Sequence, residues 1–155
     1  MPTQSRGRGP RVTLVLFVAL SAPGVIQASA AAAVEADLPL IEAVRTGNVE
    51  QVRALLGDGA DPNTPATDGS TALQWAAHRG DVRAAELLVR AGARPEVANR
   101  YGATALLEAA TTGNAGMLRV LLDAGADPNT AMPEGETPLM RVARAGRAGA
   151  VELLL

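Results

Sequence analysis

From Leu40 onward the apolar positions come in short bursts with helical spacing. Leu40, Ala43 and Val44 form one stripe, and Val49, Val52, Leu55 and Leu56 a second, with Gly47 and Asn48 between them. Apolar residues recurring at three- and four-residue intervals mark the buried face of a helix. The pattern therefore predicts pairs of short helices joined by tight turns. Pro39 suits a first helical turn, where its missing N–H costs nothing. Asn48 is a suitable N-cap, and Gly59 a left-handed stop. The plan recurs. Thr71 and Asp81 are the expected caps of the next pair, with Leu73, Ala76, Ala77, Val82, Leu87 and Leu88 inward and Arg83, Glu86 and Arg90 solvated. Thr104 and Asn114 follow as caps, with Leu106, Ala109, Ala110, Leu118, Val120, Leu121 and Leu122 inward. A fourth pair opens at Thr137-Pro138-Leu139 and turns at Gly146.

The recurrence has a fixed period. Shifted by 33 residues, Leu40 falls on Leu73, Leu106 and Leu139, Gly47 on Gly80, Gly113 and Gly146, and Leu55 on Leu88, Leu121 and Leu154. Such a period marks a stacked repeat. The units span about 37–66, 67–99, 100–132 and 133–155, the last incomplete. The links Gly59 to Thr71, Gly92 to Thr104 and Gly125 to Thr137 are equal in length. Each has a glycine two residues before the threonine, at Gly69, Gly102 and Gly135. Asp68-Gly69 is a tight-turn pair. Two helices of about ten residues each are marginal alone in water. Stacking must bury each unit's apolar face against its neighbours.

These residues resemble an ankyrin repeat. The run Thr71-Ala72-Leu73-Gln74-Trp75-Ala76-Ala77, then Gly80, Leu87-Leu88 and Gly92-Ala93, follows that family's T-P-L-H-x-A opening and 33-residue period. Thr137-Pro138-Leu139 repeats the opening with its proline, and Gly125-Ala126-Asp127-Pro128-Asn129 resembles the unit ending. The resemblance covers roughly residues 37–155. It implies an all-α solenoid of helix-turn-helix units linked by β-hairpin-like loops. The family histidine is replaced by Gln74, Leu107 and Met140. The hydrogen bonds it makes at the hairpin bases are left without their usual donor.

Residues 1–30 read differently. Arg6, Arg8 and Arg11 precede the apolar run Val12–Leu20, which Pro23 and Gly24 end, and Ala28-Ser29-Ala30 offers a small-x-small cleavage pattern. This is the order of an export signal. The run is far shorter than the ~20 apolar residues of a membrane span. Residues 31–36 are a small-residue spacer. The expectation is an exported protein, periplasmic or secreted, with no stable membrane span after cleavage. The basic residues are all Arg, which together with the signal's shape suggests a bacterial source. At the other end Val151-Glu152-Leu153-Leu154-Leu155 stops inside the last predicted helix without a glycine cap, which suggests a fragment.

Composition narrows the chemistry. The chain has 155 residues, with 48% apolar content but 2% aromatic, so leucine, valine and alanine must do the packing. There is no cysteine, hence no disulfide and no thiolate metal site. With the leader removed, 11 basic residues face 16 acidic ones. That balance argues against nucleic acid or anionic lipid as partner. His78 is the single histidine, without a second ligand at metal-binding spacing or a Ser-His-Asp set. It reads as a surface residue near a helix end. Gly57-Asp58-Gly59-Ala60-Asp61-Pro62-Asn63 lacks the alternating oxygen ligands of a calcium loop. Gly57-x-Gly59 lacks the third glycine and preceding strand of a dinucleotide site. No catalytic residue, cofactor or metal is expected.

The remaining candidates are contact residues. Trp75 is either packing between units or an interface anchor. Tyr101 beside Arg100 at a hairpin tip has the composition of a contact hot spot. The resemblance implies that hairpin tips and exposed first-helix positions line a concave groove for protein partners. The matching positions are Thr67, Asp68, Ser70, His78, Arg79, Arg100, Tyr101, Ala103, Thr111, Thr112, Pro133, Glu134, Glu136 and Arg144. The leading expectation is a monomeric, non-catalytic protein-binding module. The alternatives are the targeting or regulatory segment of a larger exported enzyme whose other domain follows residue 155, and a secreted effector.

Overall fold

A computed structural model describes residues 39–155. The expected export signal and the spacer lie outside them. Among the described residues eight helices follow one another: α1 (39–46), α2 (Val49–Gly57), α3 (Ala72–Arg79), α4 (Val82–Arg90), α5 (Ala105–Thr112), α6 (Ala115–Asp123), α7 (Pro138–Arg144) and α8 (Ala148–Leu154). None of the described helices is long and apolar enough to cross a membrane.

The helices form two rows. The first helix of each pair packs on its counterpart, α3 on α5 and α5 on α7. The second helices do the same, α2 on α4, α4 on α6 and α6 on α8. Leu40, Leu73 and Leu106 make a continuous apolar file, none more than 1% exposed. Leu88 and Leu121 are fully enclosed in the other row. Ala76, Ala77, Ala84, Ala85, Ala109 and Ala110 are also fully buried, which lets helices with few large side chains approach closely. The core thus runs along the stack instead of gathering at one centre.

Turns between paired helices are locally encoded. Gly80 ends α3 at φ 72°, and the Asp81 N–H bonds back to the Ala76 carbonyl at 2.9 Å. The Asp81 side chain then accepts from the Ala84 N–H at 3.0 Å and opens α4. Thr71, Thr104 and Thr137 cap the first helices, and Asn48 and Asn114 cap α2 and α6. Helix α8 has Arg147 as its N-cap, with no side-chain cap bond.

The links are hairpin-shaped, with no strand among the described residues. In the first, the Gly69 N–H donates to the Ala66 carbonyl at 2.9 Å and the Ala66 N–H to the Ser70 carbonyl at 2.8 Å. The same pairs recur at Asn99–Ala103 and Met132–Glu136. One closing bond is too little for a ladder. Gly102 has φ 77°, and a Cβ there would lie 2.6 Å from Pro133 Cδ. Gly102→Ala is expected to cost about 1–2 kcal/mol for the left-handed backbone alone, plus displacement of Pro133. A urea midpoint unchanged from that of the parent chain would contradict this.

The hairpins are tied unequally. Gln74 corrects the expectation about the missing histidine. Its Nε2 donates to the Val97 and Ala103 carbonyls, both at 2.8 Å, while its Oε1 accepts from the Thr71 N–H at 3.0 Å. Asn63 bridges the first two hairpins, donating to the Gly92 carbonyl and accepting from the Arg94 N–H. The Arg100 N–H donates to the Asp68 carbonyl at 3.1 Å. One period later, Gln74 is replaced by Leu107, Asn63 by Glu96 and Arg100 by Pro133. Leucine has no donor, and glutamate cannot repeat the amide bridge. Proline has no N–H. The Gln74 and Arg100 tethers of units two and three are thus missing between units three and four, and the Asn63 bridge of units one and two is missing between units two and three. Helix α7 is held to α5 instead by Arg141, which donates to the Leu107 carbonyl at 3.3 Å and to Thr111 at 2.8 Å.

Candidate functional site

The face formed by the hairpin tips and the first helices carries a ladder of side-chain contacts. Glu42 pairs with Arg45 at 3.3 Å, one turn apart on α1. The Arg45 guanidinium lies 4.9 Å from the centroid of the Trp75 ring on α3. Trp75 meets His78 edge to face, their centroids 6.0 Å apart. His78 Nδ1 is 3.1 Å from Glu108 Oε2 on α5. Thr111 accepts from Arg141 Nη1 on α7 at 2.8 Å. The cross-unit steps Arg45–Trp75, His78–Glu108 and Thr111–Arg141 each span 30 residues, one period less one helical turn. The last turn of one first helix therefore meets the first turn of the next.

Three clefts lie along this face. One lies between α1, the first hairpin and Trp75. The next is lined by Asp68, Ser70, Gln74, Trp75, His78, Asn99 and Glu108. A third is bounded by Thr111, Glu136, Arg141, Arg144 and Ala145. Trp75 is half-buried between the first two, and its indole N–H is enclosed without a hydrogen-bond partner. An unpaired buried donor costs about 1–3 kcal/mol.

Of the positions singled out in the sequence, Thr67, His78, Arg79, Arg100, Tyr101, Thr111, Thr112, Pro133, Glu134 and Arg144 are exposed. Tyr101 stands out at 68%. Arg79 folds its guanidinium toward Gly47, so it faces the turn of the preceding unit. Ser70 and Ala103 are different. They are 6% and 5% exposed and belong to the framework. Ser70 donates its hydroxyl to Asp68, and the Ala103 carbonyl receives Gln74. Their place at the closing end of the hairpin, behind the tip, accounts for the burial. Sequence reasoning passed over Arg45, Glu108 and Arg141 as contact-face residues. The signal that finds them is the 30-residue offset.

Two carboxylates on this face are held charged. The Ser70 backbone N–H donates to Asp68 at 2.9 Å, and with the Ser70 hydroxyl and the nearby Arg100 charge it keeps the Asp68 carboxyl below its ordinary value, against the opposing push of desolvation. At Glu136 desolvation pushes upward. The hydrogen bonds and charges of Arg141 and Arg144, at 2.9 and 2.6 Å, outweigh it and hold the carboxyl below its ordinary value. A carboxylate whose folded pKa lies below its unfolded one stabilises the fold above the ordinary carboxylate range and stops doing so as pH falls through the folded value. Glu136→Gln is therefore expected to lower the thermal midpoint at pH 7, with the gap to the parent chain closing as pH drops from about 5 to about 2. A gap that is constant across that range would show that the Glu136 charge contributes nothing.

Residues 40–132 match the family described as "Ankyrin repeats (3 copies)". This chain belongs to the ankyrin-repeat family. The match ends before α7, yet α7 and α8 continue both helix rows of the ankyrin stack. A search of curated proteins gave no match. Ankyrin repeats are in general protein–protein interaction modules, and the repeat domain is typically non-catalytic.

Proposed function

We propose that the chain is a monomeric, non-catalytic module that grips a protein partner with its hairpin tips and the adjoining first-helix face. The supporting observation is a repeated framework whose outward positions differ from unit to unit and include Tyr101, 68% exposed beside Arg100. An exposed Tyr–Arg pair has the composition of residues that dominate interfaces. The test uses the full chain as bait in parallel with two variants. Arg100→Ala/Tyr101→Ala is expected to weaken a captured partner by more than about tenfold. Substitution of Arg83, Glu86 and Arg90 on the opposite helix row serves as the control. Equal capture by both variants, with folding intact, would remove the tips from the interface.

The reading includes export. Its support is the order Arg6, Arg8, Arg11, then Val12–Leu20, then Ala28-Ser29-Ala30. Intact mass of the chain recovered after expression in a bacterial host is expected to show loss of roughly the first thirty residues. An N-terminus retained in the cytoplasmic fraction would refute export.

A further inference from the structure

We propose that the cleft between the second and third units receives an arginine side chain from an extended segment of the protein partner. The inference rests on the binding-module reading and adds the chemistry of what is bound. Asp68 from the first hairpin and Glu108 from α5 both line this cleft, and no Arg or Lys does. The volume, about 220 Å³, suits one long side chain rather than a helix. Trp75 forms one wall.

The chain already shows the chemistry one unit earlier. There Arg45 is held by Glu42 at 3.3 Å while its guanidinium lies over the Trp75 ring at 4.9 Å. In the neighbouring cleft the same ring is available together with two carboxylates, but the position equivalent to Arg45 is His78, already turned to Glu108. A carboxylate pair beside an aromatic wall, with no Arg or Lys in the lining, is complementary to a planar guanidinium. Such a group can donate to both acids and stack on the indole, which a lysine ammonium does less well.

Trp75 is the single tryptophan, so its indole gives one signal in a nitrogen–proton correlation spectrum. The probe is a capped Gly-Arg-Gly peptide added to the full chain at low salt. The indole signal is expected to shift saturably. Capped Gly-Glu-Gly is expected to leave it in place, and capped Gly-Lys-Gly to bind more weakly than the arginine peptide. Asp68→Asn with Glu108→Gln should reduce affinity about tenfold or more. If the double variant misfolds through the Asp68 turn, Glu108→Gln alone, on the helix surface, carries the test. No shift, an equal shift with the glutamate peptide, or undiminished binding by Glu108→Gln overturns the proposal. A captured partner that depends on Arg100 and Tyr101 but not on Asp68 and Glu108 overturns this inference alone and leaves the module reading standing.

Discussion

Leu88→Ala is expected to lower the free energy of unfolding by about 2–5 kcal/mol, the range for emptying a buried leucine site. Leu88 is fully enclosed on α4, which packs against α2, α3 and α6. In most proteins the neighbours of a cavity are held from several sides. Here the support comes from adjacent units, and stability is close to a sum of units and their interfaces. A domain of this size has only about 5–15 kcal/mol in total. The substitution should therefore also broaden the urea transition, as the units on either side of α4 lose their coupling. Leu87→Ala, on the same helix but only partly buried, should cost about 1 kcal/mol. Similar losses for the two variants would mean that the enclosed file is not what holds the stack.

Gln74→Leu should have the second largest effect. The substitution copies what the chain itself has at Leu107, so the helix position tolerates the residue type. It removes the partners of the Thr71 N–H and the Val97 carbonyl, and one of the partners of the Ala103 carbonyl. Each buried group left unsatisfied costs about 1–3 kcal/mol. The total is expected near 2–4 kcal/mol, since the Ala103 carbonyl keeps its bond from Asn99. Gln74→His retains one ring donor and should fall between. Native-state amide exchange separates this from a general loss of packing. Protection should fall first at Gly102 and Ala103, in the second hairpin. Uniform loss of protection would assign Gln74 a packing role only.

How much of this was legible in the sequence varies by element. Helix starts were readable because Thr71, Asp81, Thr104 and Asn114 act on their own following turns. Ends at Gly59 and Gly80 were readable for the same local reason. The leucine files followed from the period. Burial of Ser70 and Ala103 did not, because both lie in links whose outward and inward positions alternate without any apolar cue. The bridging of Gln74 was missed for another reason. Against a family histidine a glutamine looks like a loss, yet its amide carries both an acceptor and two donors. The acidic lining of the Trp75 cleft needs Asp68 and Glu108 together, 40 residues apart on a hairpin and a helix. No local pattern brings them side by side.

The change from amide tethers to leucine, glutamate and proline at successive hairpins has a mechanical side. Directional bonds fix the angle between two layers, whereas greasy contacts fix only their distance. The hairpin bases of the third and fourth units should thus part more easily than those of the second and third, leaving Arg141 on Thr111 to hold α7 to α5. A load applied along the row of loops would open the hairpin at Pro133 before the one that Gln74 holds shut.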